Sequence, residues 1–106
     1  MFARRPAIHL TPQADRDYEN ILLYTERTWG EKQSATYQAL IAQALSALRD
    51  HPQASRPRDD LFSGCRSIQA EQHIIYFHQP RAAEIEVLRI LHHRQDASAG
   101  VKEPPS

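Results

Sequence analysis

The groups best suited to acid–base chemistry are gathered near the end of the chain. Arg89 lies midway along an apolar segment, and His92, His93 and Arg94 follow where that segment ends. Imidazole exchanges protons near neutral pH and guanidinium stays cationic, so this stretch could supply a general acid or base beside a permanent positive charge. The same histidines could equally be solvated side chains at the end of a strand.

The segment that carries these groups, Glu84 to Leu91, is predicted to be a strand in the middle of a sheet. Strict alternation divides it into two faces, with Leu88 and Ile90 on one and Ile85, Val87, Arg89 and Leu91 on the other. A strand that is apolar on both faces must be covered on both. We expect Leu88 and Ile90 to face helices of the chain and the opposite face to meet a partner. On this assignment Arg89→Ala should spare the fold.

Two amphipathic helices are predicted to cover the sheet. Thr11 is a good N-cap and Pro12 suits the first helical turn, while Gly30 ends the first helix and the second stops before Pro52. Their apolar positions recur at helical spacing, which indicates a helical hairpin with one buried stripe on each helix. Tyr18, Tyr24, Trp29 and Tyr37 share this spacing and are predicted to pack in the core rather than to form a ligand site.

The remaining segments complete an α+β domain. Ala7 to Leu10 is predicted to be a short strand, and His51 to Ser63 a loop; Cys65 to Ala70 and His73 to His78 are two further strands joined by a turn at Glu71-Gln72. The predicted order is β-α-α-β-β-β, with the helical hairpin on one face of a small, mainly antiparallel sheet. We assign residues 1–96 to a single domain and expect 97–106 to be a disordered tail.

Composition narrows the classes of function. The 13 Lys and Arg residues balance the 13 Asp and Glu residues, which argues against a protein that holds nucleic acid by phosphate neutralisation alone. The single cysteine, Cys65, cannot form an intramolecular disulfide, and no Cys and His residues have the spacing of a zinc site. No apolar run is long enough for a signal peptide or a membrane span. We therefore expect a cytoplasmic protein without a metal or other cofactor.

Several segments, in order, resemble the ParE/RelE superfamily of toxins from type II toxin–antitoxin systems, and the ParE branch in particular. The resemblance covers nearly the whole predicted domain. It rests on Leu10–Asp15, Tyr24-Thr25, Trp29-Gly30, Arg56–Leu61, Gly64–Ile68, His73–Phe77, Ile85–His92 and Arg94–Asp96.

The resemblance implies the RelE/ParE-like fold and a growth-inhibiting toxin that a cognate, ParD-like antitoxin neutralises by direct binding in a hetero-oligomer. ParE-like members inhibit DNA gyrase, which requires a surface rather than a reaction centre. The candidates for that surface are Arg56, Arg58, Arg66, Arg89, His92 and Arg94. The candidates for antitoxin binding are Ile85, Val87, Arg89 and Leu91.

Two alternatives stay open at this point. RelE-like members cleave mRNA on the ribosome, and metal-independent cleavage needs an acid, a base and cations for the developing phosphorane charge. If this chain were such a nuclease, the catalytic candidates would be Arg66, His73, Tyr76, Arg89 and His92. The neutral charge favours an inhibitor over this enzyme. The second alternative is an antitoxin-binding module without toxicity.

Overall fold

The computed structural model describes residues 5–105. Residues 1–4 of the predicted domain and Ser106 of the predicted tail lie outside this range. The elements are β1 (Ala7–Leu10), α1 (Pro12–Trp29), α2 (Glu31–Asp50), a 3₁₀ helix (Pro52–Ala54), β2 (Arg56–Pro57), β3 (Arg66–Ala70), β4 (His73–Arg81), β5 (Glu84–His92) and α3 (Ala97–Gly100). The predicted α+β class and β-α-α-β-β-β order are confirmed; β2, the 3₁₀ helix and α3 are short additions.

The helical hairpin begins and turns where the sequence indicates. The Thr11 hydroxyl accepts a hydrogen bond from the Ala14 backbone N–H at 3.1 Å, and Pro12 occupies the first turn, where a missing N–H costs no hydrogen bond. Gly30 separates the helices with φ of 96°, in the left-handed region that favours glycine, and its N–H donates to Glu26. α2 then runs antiparallel to α1.

The sheet has the order β1-β5-β4-β3-β2, so the first and last strands of the chain are neighbours. β1 is parallel to β5, and the chain between them runs through the helical hairpin and then through β2, β3 and β4; the other pairs are antiparallel. The predicted turn between β3 and β4 is confirmed. Glu71 adopts φ of 56° there, and the Gln69 side-chain amide donates to its carbonyl at 2.9 Å.

The chain covers both faces of its own sheet. The hairpin buries one face, where the sheet side chains include Ile75, Phe77, Ile85, Val87 and Ile90. The opposite face is buried by the loop after β2 and by the C-terminal segment, in a second core of Cys65, Tyr76, Leu88, Leu91, Ala97 and Val101. The prediction that residues 97–106 have nothing to bury is therefore wrong for Ala97 and Val101, which are 7% and 2% exposed.

A β-bulge in β5 overturns the predicted assignment of its faces. Tyr76 pairs with Arg89 and Phe77 with Val87, so Leu88 is an extra residue on β5. The bulge interrupts strict alternation: Ile85, Val87 and Ile90 face the hairpin, while Leu88 and Leu91 face the second core. The predicted faces of Ile85, Val87 and Leu88 were thus reversed.

Candidate functional site

Arg89 joins three parts of the fold. Its Nε and Nη2 donate to the two carboxylate oxygens of Asp17 on α1 at 2.7 and 3.0 Å, and its Nη1 donates to the Gly100 carbonyl at 3.1 Å. The Arg89 and Asp17 side chains are only 19% and 13% exposed. The hydrogen bonds to the Asp17 carboxylate, together with its charge, raise the pKa of Arg89. Arg89 is therefore a structural clamp, and the expectation that Arg89→Ala spares the fold loses its basis.

Asp17 also completes the edge of β5. β1 pairs with β5 only through Val87, which leaves the following part of β5 without a strand on that side. The Ile90 backbone N–H donates to the Asp17 carboxylate at 3.0 Å, and the Thr11 hydroxyl donates to the Leu88 carbonyl at 3.0 Å. Side chains at the start of α1 thus satisfy backbone groups that a longer β1 would otherwise pair.

Arg66 and Arg58 are held by the loop that precedes β3. Arg66 donates from Nε to the Ser55 hydroxyl at 2.6 Å and from Nη2 to the Ser55 carbonyl at 2.7 Å. Arg58 forms a two-pronged pair with Asp60 at 3.0 and 2.9 Å, and its guanidinium lies 5.5 Å from the centroid of the Tyr76 ring. Both guanidinium groups are committed to contacts within the chain.

His73 is hydrogen-bonded to the half-buried phenol of Tyr37. Its Nδ1 lies 2.5 Å from the Tyr37 hydroxyl, which also accepts the Gln72 backbone N–H at 3.1 Å. Burial, with smaller contributions from the neighbouring His92 and His93, lowers the pKa of His73 to about 4. The imidazole is therefore neutral at physiological pH.

His92 and His93 extend this group of rings at the end of β5. The His73 and His92 ring centroids are 5.4 Å apart, and His92 stacks on His93 at 4.5 Å. His92 Nδ1 accepts the Arg94 backbone N–H at 3.2 Å, so the neutral ring carries its proton on Nε2. The three imidazoles and Tyr37 form what we call the histidine corner.

The five nuclease candidates do not meet at one point. His73, His92 and Arg89 line one cavity of about 400 Å³, in which Arg89 is paired with Asp17. Tyr76 is 2% exposed in the second core, beside Arg58. Arg66 is occupied by Ser55. Of the six residues predicted for the target surface, Arg56 and Arg94 are exposed and His92 is half-buried.

Three of the four predicted antitoxin-binding side chains are inside the protein. Ile85 and Val87 are fully buried under the hairpin and Leu91 is 3% exposed in the second core, while Arg89 is the clamp described above. In this structure they form no docking surface, because the hairpin covers Ile85 and Val87, and the loop after β2 and the C-terminal segment cover Leu91.

The structure instead shows a groove beside β1, which the sequence analysis missed. β1 is at one edge of the sheet, and a cavity of about 540 Å³ separates it from α2. Ile8, Leu10 and Leu45 supply an apolar lining, and Arg5 and Arg49 stand at its margin. The buried Nε of Arg49 has no hydrogen-bond partner among the described residues, and the nearest oxygen of Asp50 is 3.9 Å away. We call this the β1 groove.

Two further observations concern residues 5–105 as a whole. No cluster of three or more His, Cys, Asp or Glu side chains in this range could hold a metal ion. No helix in the same range is long and apolar enough to cross a membrane.

Tyr24 and Trp29, predicted to be in the core, are 67% and 69% exposed, so that prediction was wrong for both.

Comparison with known proteins decides the family. The sequence model described as "ParE toxin of type II toxin-antitoxin system, parDE" matches residues 8–97. The chain belongs to the ParE toxin family. The predicted membership of the ParE branch is thereby confirmed, and the protein is a toxin of the type II toxin–antitoxin class.

Named relatives of the ParE family span nearly the same length. Toxin ParE of Escherichia coli is 35% identical over 88 residues, which is 82% of this chain and 84% of that protein. Toxin ParE1 of Caulobacter vibrioides is 27% identical over 90 residues, 85% of this chain and 92% of the relative. Toxin ParE1 of Mycobacterium tuberculosis is 29% identical over 87 residues, 82% and 89% of the two chains.

A solved structure shares the fold. The structure described as "Chromosomal ParDE TA system from P. aeruginosa" aligns with a TM-score of 0.70 at 19% identity, over 83% of this chain and 96% of that chain. The ParE-like α+β fold predicted from the sequence is confirmed.

Proposed function

We propose that this ParE-family toxin arrests growth by inhibiting DNA gyrase. Gyrase inhibition is the activity that the resemblance to the ParE branch implies. The observation that best supports an inhibitor over a ribosome-dependent nuclease is that the groups a nuclease would need are already engaged within the chain. Arg89 is bound to Asp17, Arg66 to Ser55, and Tyr76 is buried. A surface that blocks another enzyme needs none of them to be free.

The decisive experiment compares two targets side by side. Purified toxin is added to a gyrase supercoiling reaction and, separately, to an in vitro translation reaction whose mRNA is mapped for cuts. We expect loss of supercoiling or accumulation of gyrase–DNA cleavage complexes, with intact mRNA. Codon-specific mRNA cuts with undisturbed gyrase would contradict the proposal, and so would the absence of growth arrest when the toxin gene is induced alone.

Two residues of the predicted target surface, Arg56 and Arg94, are exposed, and a third, His92, is half-buried. We retain these three as target contacts, since arginine combines contact area with several hydrogen bonds. Replacing Arg94 with Ala should weaken gyrase inhibition. Arg81→Ala is the matched control, because Arg81 is 69% exposed and is the last residue of β4, next to the β4–β5 turn and far from the end of β5 that Arg94 follows. Equal inhibition by both variants would remove Arg94 from the target surface.

For the antitoxin we propose the β1 groove as the docking site. β1 has a free edge that can accept one further strand, whereas the other edge strand, β2, has two residues and includes Pro57. The apolar lining suits an amphipathic segment laid beside that edge. Arg49, whose buried Nε has no hydrogen-bond partner among the described residues, suits a segment that carries a carboxylate, whereas Arg5 is already paired with Asp50 at 2.9 Å.

The docking site can be tested with two substitutions on α2. Ala42 is exposed and lines the groove, so Ala42→Arg should obstruct it and weaken antitoxin binding at least tenfold. Ala47 is exposed on the same helix but is not among the residues that line the groove, and Ala47→Arg should bind the antitoxin as the unmodified toxin does. Equal affinities, measured by calorimetry on folded variants, would move the antitoxin to another surface.

A further inference from the structure

The two exposed aromatic side chains of α1 face a groove that the proposed function does not use. Tyr24 and Trp29 form one side of a cavity of about 450 Å³. The other contributors are Thr25 on α1, Gln33 at the start of α2, Gln72 in the β3–β4 turn, and Tyr37, His73 and His92 of the histidine corner. Large aromatic side chains exposed to this degree in a soluble domain commonly mark a binding site.

The lining has a distinctive chemistry. None of the described residues that line this cavity is Asp, Glu, Lys or Arg. It offers flat rings from Tyr24 and Trp29, imidazoles opposite them, and two side-chain amides, Gln33 and Gln72, each with donors and an acceptor. An uncharged ligand with a planar aromatic body and hydrogen-bonding edges matches this lining. A volume of about 450 Å³ is also in the usual range for small-molecule sites, roughly 300–1,000 Å³.

We propose that this groove binds a nucleobase, stacked on the aromatic side chains of α1 with its edge hydrogen-bonded by the two glutamine amides. Stacking on Tyr and Trp is independent of formal charge, which fits a chain with equal numbers of acidic and basic residues. A base carries no charge to be neutralised, whereas a phosphate would find no cation among the described lining residues.

The side chains of the histidine corner that line this groove are ordered before a ligand binds. His73 is fixed through Nδ1 by the Tyr37 hydroxyl, and His92 Nδ1 accepts the Arg94 backbone N–H. Both rings are therefore held in place before a ligand arrives, which lowers the entropic cost of binding. The neutral His92 ring carries a proton on Nε2, so it can also donate a hydrogen bond. A second cavity, of about 400 Å³, shares Tyr24, His73 and His92 and continues the groove along β5.

Binding of a ligand in this groove can be followed by tryptophan fluorescence. Trp29 is the single tryptophan, so its fluorescence reports on this groove alone. Adenosine and guanosine are titrated into the folded toxin, with excitation at the red edge of the indole band; ribose 5-phosphate serves as the probe without a base. We expect saturable quenching by the nucleosides and none by ribose 5-phosphate. Quenching that does not saturate, or that free N-acetyltryptophanamide reproduces, would overturn the proposal.

Two exposed neighbours on α1 separate groove binding from general effects. Tyr24→Ala removes a stacking surface and should weaken nucleoside affinity at least about fivefold, because stacking of one base on one aromatic ring is typically worth that much or more. Leu23→Ala is the control, since Leu23 is 46% exposed but does not line the groove. Circular dichroism verifies that both variants are folded. Equal affinities for the two variants would overturn the proposal.

Two further ligands identify the source of the base and test a competing occupant. A short single-stranded oligonucleotide that binds more tightly than its nucleoside assigns the base to nucleic acid, and equal affinity assigns it to a free nucleoside; both support a base site. If a peptide from the antitoxin quenches Trp29 and the nucleosides do not, the groove is a peptide site and the proposal fails. None of these results depends on gyrase inhibition.

Discussion

Breaking the Asp17–Arg89 pair should destabilise the protein more than any surface ion pair. Exposed pairs contribute about 0–1 kcal/mol, and removing one partner of a buried pair costs about 3–5 kcal/mol. With side chains 13% and 19% exposed, this pair lies between these limits. We expect Arg89→Ala to lower the free energy of unfolding by about 2 kcal/mol. Asp17→Ala should cost about 3 kcal/mol, because it also leaves the Ile90 N–H without its acceptor.

The measurement is urea unfolding followed by circular dichroism, on the two single variants and the double variant. If the two side chains act as a pair, the double variant should cost less than the sum of the singles, with a coupling energy of about 2 kcal/mol. Asp15→Ala is the matched control, since Asp15 is an exposed carboxylate two residues earlier on α1. The reasoning is refuted if Asp17→Ala costs no more than Asp15→Ala, or if the single effects simply add.

Two further predictions concern the histidine corner and the β3–β4 turn. His73 has a folded pKa of about 4 against an ordinary 6.5. The unfolded chain therefore binds the extra proton first as pH falls, and stability is full above pH 6.5 and declines until about pH 4. The whole pKa shift corresponds to about 3 kcal/mol of unfolding free energy, and partial exposure of His73 reduces this to about 1–2 kcal/mol. His73→Gln should therefore flatten the profile of unfolding free energy against pH. An unchanged profile would exclude His73 as its source. Glu71→Gly should stabilise the protein by about 0.5–1 kcal/mol in thermal unfolding, since glycine adopts φ of 56° without strain. A loss of stability would mean that the Glu71 side chain makes a contact worth more than the strain.

The helices were predictable because their signals are local. Thr11, Pro12 and Gly30 act within one turn of their own positions, so the sequence places the ends of α1 without knowledge of the rest of the chain. The strands of the meander were predictable for the same reason, because short turns join them. The match to the ParE family then followed from the order of these segments.

The faces of β5 were not predictable by alternation. A bulge adds one residue to one strand, and nothing in the residue types around Leu88 indicates it. The role of Arg89 was missed because its partner, Asp17, is 72 positions away. Because Arg89 alternates with apolar residues that were predicted to face a partner, the sequence suggested a binding surface. The ion pair with Asp17 instead places Arg89 largely inside the protein.

The exposure of Trp29 and the burial of Val101 have a common explanation. Helical spacing predicts which side chains share a stripe, but not where the sheet beneath that stripe ends, and Trp29 lies at the C-terminal end of α1. Val101 follows a single helical turn that is too short to show periodicity. Both depend on how far the sheet extends, which is a property of the assembled fold.

The pairing of β1 with β5 also determines when the toxin can complete its fold during synthesis. Among the described strands, β1 is synthesised first and its partner β5 last, and the Thr11–Leu88 hydrogen bond spans 77 positions of the sequence. A nascent chain that lacks β5 can bring α1 and α2 together, because they are adjacent in the sequence, but it cannot form the sheet edge of the β1 groove. Synthesis of the final strand therefore sets the earliest moment at which a ligand of that groove could recognise the protein.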